Sequence, residues 1–316
     1  MAENTSIGWC DHTANPFWGC TKRHQGCTNC YALAWDKRHG GNHWGSTSPR
    51  RAIQSCWTDL AKWQRNAAKN NEFKKVFVSS MCDIFEDYDG PVVDAKGSVI
   101  PGLRIVHLRD RIMEEMMHCP NLIFLMLTKR PENIWKMALP VWKNPGRWPF
   151  NVWTGTSPCD QETAELSIPH LLKVPGQHFL SCEPLLGRVD LTQWLWGKNK
   201  PCEDCPKDVD CVHGYETRAS ILGESAINWV IVGGESVGGR ECHIEYIRQI
   251  VDDCKRSKTP VFVKQLGSNP VQTVRGPTDE YDTVELTIKS RKGDDINEWP
   301  PGLRIQEFPN FVLSIE

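Results

Sequence analysis

The chain has 316 residues, a hydrophobic content of 40% and a formal net charge of −2, which excludes a disordered or low-complexity protein and gives no whole-molecule attraction to nucleic acid. It begins Met1-Ala2-Glu3-Asn4-Thr5, without the basic region and apolar run of a secretory signal, and no stretch approaches the ~20 apolar residues that a membrane span needs. Fourteen cysteines without such a signal point to reduced thiols and metal rather than to disulfides, so the expected location is cytoplasmic.

Taken in order, Tyr31 to Arg38 reads as a helix that Gly40 and Gly41 end, and Leu60 to Lys69 as a second helix. Lys75 to Ser80 is the first clear strand, and 103–118 the helix after it. The pattern repeats with strands at Leu122–Leu127, Val152–Thr156, His178–Glu183, Trp229–Gly234 and Pro260–Gln265, and helices at Gln161–Leu172 and His243–Cys254. Apolar strands alternating with helices imply an α/β fold with a parallel sheet covered on both faces. Six such units suggest a partial (β/α)6-type, TIM-like barrel over residues 1–267, interrupted by a cysteine-rich insertion at about 188–228. Residues 268–316 are expected to form a C-terminal extension packed as a cap, with Thr283–Ile288 as an edge strand.

The densest chemical signal is Cys20-x6-Cys27-x2-Cys30, three cysteines on one loop. Gly19 and Gly26 directly precede two of them, where backbone freedom lets a loop wrap a metal. Three thiolates can hold three irons of a [4Fe-4S] cube and leave the fourth open to a small molecule. A structural zinc site would need a fourth ligand, for which Cys10, His12 and His24 are nearby. A second group, Cys202-x2-Cys205-x5-Cys211-x-His213, suits zinc or an auxiliary iron-sulfur cluster.

The run from Gly8-Trp9-Cys10-Asp11-His12 through Asn15-Pro16-Phe17-Trp18-Gly19-Cys20, continued by Gly26-Cys27-Thr28-Asn29-Cys30-Tyr31-Ala32, resembles the phage three-Cys-motif family of radical-SAM-like proteins. So do Val78-Ser79-Ser80-Met81, Leu127-Thr128-Lys129-Arg130-Pro131, Cys182-Glu183-Pro184-Leu185-Leu186-Gly187, Val230 to Ser236 and Phe262-Val263-Lys264-Gln265. The Asn-Pro-aromatic approach is loosely similar to that of spore photoproduct lyase, a radical SAM enzyme acting on DNA. The commonest radical SAM loop differs in separating its first two cysteines by three residues, with an aromatic just before the last; here the gap is six and Tyr31 follows the last. The resemblance implies a [4Fe-4S] cluster on Cys20, Cys27 and Cys30 that binds S-adenosyl-L-methionine (SAM), an electron donor of reductase or flavodoxin type, and a 5'-deoxyadenosyl radical that abstracts a substrate hydrogen.

In parallel α/β folds the site lies at the C-terminal strand ends. Ser79, Ser80 and Met81 are expected to border the methionyl group of SAM, with Thr128, Lys129, Thr154, Glu183 and Glu235 also binding cofactor. Gly233 and Gly234 are expected near the adenosine, and Cys182, Glu183 and Lys264 are the candidate catalytic residues. Residues 1–75 carry eleven Lys or Arg against five Asp or Glu, with Trp35, Trp44, Trp57 and Trp63 interleaved. Such a segment can track a phosphate backbone and stack on bases, or it can be a solvated helix face with tryptophans packed inward. Taken with the phage setting and the photolyase-like loop that the resemblance implies, this segment makes a nucleobase, nucleotide or nucleic acid the expected substrate or partner. The alternatives are a non-catalytic zinc-bearing nucleic-acid or protein binding module, and a Mg²⁺ nuclease using Asp83, Glu86 and Asp87.

Overall fold

The computed structural model describes residues 2–142, 148–195, 227–236, 238–275 and 280–310. The described chain divides into two units, one on residues up to 157 with 169–177, the other on 158–168 with 178–310.

In the first unit, a short edge strand β1 (Ala2–Glu3) lies antiparallel to β2 (His12–Ala14). Strands β3 (Phe17–Trp18) and β4 (Arg50–Ala52) flank helix α1 (Tyr31–Arg38), and α2 (Ser55–Asn70) leads into β5 (Lys74–Val78). Then come β6 (Val92–Val93), α3 (Ile105–Met117), β7 (Leu122–Thr128), α4 (Ile134–Trp142) and β8 (Val152–Thr156). Strands β2, β5, β7 and β8 are parallel, in that order, with Ala14 opposite Val78, Val78 opposite Met126, and Thr128 opposite Thr156. Strands β3, β4 and β6 form a separate small sheet.

The elements follow from which faces must be dry. Strand β7 is a continuous apolar run with only Leu127 half-exposed, as a strand covered on both faces requires. Helix α2 presents Trp57, Leu60, Trp63 and Ala67 inward, so two of the interleaved tryptophans are core residues, whereas Trp35 on α1 stays exposed. His12 stacks on Trp63 with ring centroids 4.4 Å apart. Asn151, just before β8, donates its amide to Met116 O, Cys119 O and Leu122 O, tying α3 to β7.

The second unit contains the start of α5 (Gln161–Leu171), then β9 (Gln177–Cys182), α6 (Thr192–Leu195), β10 (Trp229–Gly233), β11 (Cys242–His243), α7 (Ile244–Ser257) and β12 (Val261–Gln265). Strands β9, β10 and β12 are parallel. Helix α7 buries Ile244, Ile247, Ile250, Val251 and Cys254, one stripe at helical spacing. Trp229 packs among Phe179, Phe262 and Phe308 and donates its indole N–H to Glu307 O. Residues beyond 267 supply β13 (Pro270–Arg275) and β14 (Tyr281–Glu285), antiparallel to each other, with β13 parallel to β11. The alternating stretch at 283–288 is thus a strand, but it ends at Glu285.

The protein is therefore a mixed α/β fold with seven parallel sheet strands among the described residues of its main ladder, four in the first unit and three in the second. No helix among the described residues is long and apolar enough to cross a membrane.

Candidate functional site

The cysteine loop follows β2 and β3, and hydrogen bonds from Asn15 and Gly19 to the end of β5 fix where it starts. Asn15 is buried and clamps the loop to the end of β5: its amide donates to Ser80 Oγ at 2.9 Å and its Oδ1 accepts from Met81 N at 2.7 Å. Gly19 N donates to Met81 O at 3.0 Å, and Tyr31 closes the far end of the loop by donating its hydroxyl to Ser80 O at 2.6 Å. Gly19 sits at φ +110°, and an added Cβ would lie 2.2 Å from His43 O and 2.8 Å from Arg50 Cδ. Only glycine fits there, which is why it directly precedes Cys20.

Thr21, next to Cys20, is gripped by a buried ionic network. Arg50 is 0% exposed and forks onto Glu86, with Nε to Oε2 and Nη2 to Oε1 each at 2.9 Å. Its Nη2 also donates to Thr21 Oγ1, its Nη1 to the carbonyls of His43, Gly45 and Ser48, and its plane covers the Tyr88 ring at 3.9 Å. Glu86 Oε1 accepts from Thr21 N at 2.7 Å. From the end of β7, Arg130 donates to Asp83 Oδ2 at 2.9 Å, to Thr21 O at 2.6 Å and toward Cys20 Sγ at 3.6 Å. Asp83 is held in turn by Thr128 Oγ1 at 2.7 Å and Lys129 N at 3.2 Å. Two buried cations thus meet two buried anions with most lone pairs satisfied, the condition under which buried charges are tolerated. Asp83 and Glu86 are committed to these arginines, while Asp87 is exposed and 3.8 Å from Lys136, so the three acids of the nuclease alternative face different partners.

The thiols differ in environment. Cys20, Cys27, Cys30 and Cys82 are partly covered, whereas the other seven described cysteines are buried. Burial, and then Asp83 and Glu86, push the Cys20 thiol well above its usual range, with Arg130 acting in the opposite sense. Cys27 Sγ accepts from Arg23 N at 3.5 Å. By donor type the loop suits a soft, thiolate-bound metal, with three thiols outside any disulfide and N–H donors directed at the sulfurs of Cys20 and Cys27, but the three thiols are not drawn together around one point. Among the described residues, no group of three or more His, Cys, Asp or Glu side chains is gathered closely enough to hold a metal ion. Cys202, Cys205, Cys211 and His213 lie outside the described residues.

Of the other expected site residues in the first unit, Ser79 has a positive φ of +74° at the end of β5. Ser80 and Met81 meet the cysteine loop, and Thr128 and Lys129 meet Asp83. Thr154 is fully buried in β8, and its hydroxyl lacks a hydrogen-bond partner among the described residues. In the second unit, Lys264 Nζ is 2.9 Å from Glu183 Oε1. Gly233 adjoins this pair, since a Cβ there would lie 3.2 Å from Glu183 Oε1; one on Gly234 would lie 2.4 Å from Leu266 O. Glu235 is occupied by Arg240, which bonds it through its backbone N and guanidinium. Cys182 is fully buried, and burial followed by the Glu183 charge pushes its thiol well above the usual range.

Asn15, Arg50 and Tyr31 carry much of this geometry, and none was singled out by the sequence as a site residue. Arg50 has no local signal, because its partner Glu86 is 36 residues away.

Fold and loop together define a mixed α/β protein whose cysteine loop is buttressed at the C-terminal ends of parallel strands. Over residues 4–297 the chain matches the family described as "Protein of unknown function (DUF5131)", and it belongs to that family. No curated protein and no solved structure matches it.

Proposed function

We propose that the protein is a radical SAM enzyme on a partial (β/α)6-type barrel with a C-terminal cap, acting in the cytoplasm on a nucleobase, nucleotide or nucleic acid in a phage-related modification or repair pathway. Cys20, Cys27 and Cys30 would hold a [4Fe-4S] cluster, with SAM as the second cofactor and a reductase or flavodoxin-type protein as electron donor. The observation that carries this reading is the fastening of a three-thiol loop to the ends of β5 and β7 by Asn15, Arg50, Glu86 and Arg130. Strand ends of this kind are where parallel α/β folds place their ligands.

When bound, the cluster and SAM supply one-electron chemistry that yields a 5'-deoxyadenosyl radical and methionine. The chain's own part is positional. Asn15 and Gly19 fix the approach of the loop to Met81, and the Arg50–Glu86 fork fixes Thr21, so Cys20 is held by its neighbour as well as by its own backbone. The Arg130 guanidinium beside Cys20 Sγ offers a positive partner to a thiolate there. The backbone of Ser79 to Met81 would border the methionyl group. In the second unit, the Glu183–Lys264 pair is suited to a charged group of a small ligand. Cys202, Cys205, Cys211 and His213 are proposed to hold zinc or an auxiliary cluster.

The direct assay is reductive cleavage of SAM. Protein reconstituted with iron and sulfide and treated with dithionite is expected to release 5'-deoxyadenosine and methionine, and Cys20→Ala to release neither. Equal turnover by wild type and Cys20→Ala would overturn the assignment.

A further inference from the structure

We infer that the face formed by α1 and the β3–β4 sheet binds single-stranded nucleic acid, with bases on its aromatic side chains and phosphates on its unpaired cations. This inference rests on the proposed substrate class and locates where that substrate is gripped.

The chain from Phe17 to Ile53 carries six Lys or Arg and a single acid, Asp36. That acid is 2% exposed and is engaged from within, accepting from His43 N at 3.1 Å and lying 2.8 Å from His43 Nδ1. Of the cations, Arg50 is committed to Glu86 and Arg23 to Glu132. Lys37, Arg38 and Arg51 make no ion pair among the described residues, and Lys22 reaches only Thr28 O. The outward charge of this segment is therefore positive, and its one carboxylate is turned inside.

The aromatics make it more than a solvated charged face. Trp35 is 38% exposed, stacks on His39 at 3.9 Å and meets Trp18 edge-on at 5.0 Å. The Arg51 guanidinium lies 4.8 Å over the Trp18 ring. Tyr31, 56% exposed, is pinned through its hydroxyl to Ser80 O, so its ring is rigid as well as exposed. Trp18 Nε1 and Arg51 Nε are buried beneath this face and lack an acceptor among the described residues, so the rings and the exposed cations, not these two donors, are what it presents. The partly exposed Trp35 lies beside Lys37 and Arg38, which have no anion among the described residues. Stacking surfaces interleaved with cations are what an unpaired strand requires, because its bases offer π-faces and its backbone offers acceptor oxygens. A duplex hides those faces in its stack. The Tyr31–Ser80 contact sets this surface beside the end of β5, within the same unit as the cysteine loop.

The test is fluorescence anisotropy on the purified protein, with labelled oligo-dT and oligo-U of about 12 nucleotides and a duplex of the same length. The expected result is tighter binding of either single strand than of the duplex. The dT and U arms then tell DNA from RNA. Trp35→Ala is expected to weaken single-strand binding by about tenfold. Lys37→Ala/Arg38→Ala is expected to lower the slope of log K against log salt by about 1.4. Because Trp35→Ala removes buried edge contacts, its circular dichroism and melting are compared with wild type, and the two-cation variant, altered only at exposed positions, gives an independent reading. Duplex binding as tight as single-strand binding, or unchanged affinity in both variants, would overturn the inference. Iron content of the same sample separates the failures. A strand-binding protein without iron contradicts the cluster and leaves the surface standing; an iron-bearing protein that ignores strands overturns the surface alone.

Discussion

Arg130 Nη1 lies 3.6 Å from Cys20 Sγ and 2.9 Å from Asp83 Oδ2, so one guanidinium links the first loop cysteine to a buried carboxylate at the strand ends. Arg130→Met would leave Asp83 buried without its cation, a change that costs about 3–5 kcal/mol. Urea unfolding should show that loss, and iron content should fall with it. Arg130→Lys keeps the charge but not the fork, and should lie between the two. A loss under about 1 kcal/mol in Arg130→Met, in the range of an exposed pair, would contradict the network's role.

Gly19→Ala tests the entry to Cys20. The new Cβ would be 2.2 Å from His43 O at a φ of +110°, so the loop must shift as well as strain. Gly40→Ala is the comparison, since φ there is +75° with nothing within 4 Å of the added atom, and it carries backbone strain alone. The strain term is about 1–3 kcal/mol. Gly19→Ala should exceed Gly40→Ala in lost stability and lose iron binding, whereas Gly40→Ala keeps it. Equal behaviour of the two would refute the packing argument.

Asn15→Ala removes both bonds that tie the loop to Ser80 and Met81. It should cost about 1–3 kcal/mol in unfolding free energy, as Met81 N and Ser80 Oγ lose a buried partner. It should also weaken SAM binding measured by calorimetry on reconstituted protein. Unchanged SAM affinity would detach Asn15 from the site.

Stability should fall on mild acidification through His12. Burial depresses its imidazole below the usual value, with Asp11 opposing. The unfolded chain titrates near about 6.5. Between that value and the lower folded one the unfolded state binds more protons, so stability declines as pH drops below about 6.5 and the loss is complete below the folded pKa. The difference in urea midpoint between about pH 7.5 and about pH 5 should therefore shrink in His12→Gln. A difference of the same size in both proteins would contradict this assignment.

What the sequence made legible is what local pattern encodes. Leu122 to Leu127 reads as a buried parallel strand because every residue must be apolar there, and α7 reads from the spacing of its isoleucines. Strand β2 was not legible, because His12-Thr13-Ala14 has no apolar run and gains its place only by pairing with β5. Helix α4 escaped notice, as Pro140 lies inside it and its neighbours carry no cap signal. The cysteines announced themselves by spacing, but the supports did not. Arg50 with Glu86, and Asn15 with Ser80 and Met81, are partners 36 to 66 residues apart, and no local rule joins them. Tryptophans divided according to helix face: Trp57 and Trp63 point inward on α2, while Trp35 remains outside on α1.

The central claim is best tested by iron, sulfide and zinc analysis with a visible spectrum on anaerobically purified wild type and Cys20→Ala. The account predicts a brown wild-type protein with about four irons and four sulfides at the loop, and a variant that loses that chromophore. A colourless wild type whose only loop metal is zinc would contradict it.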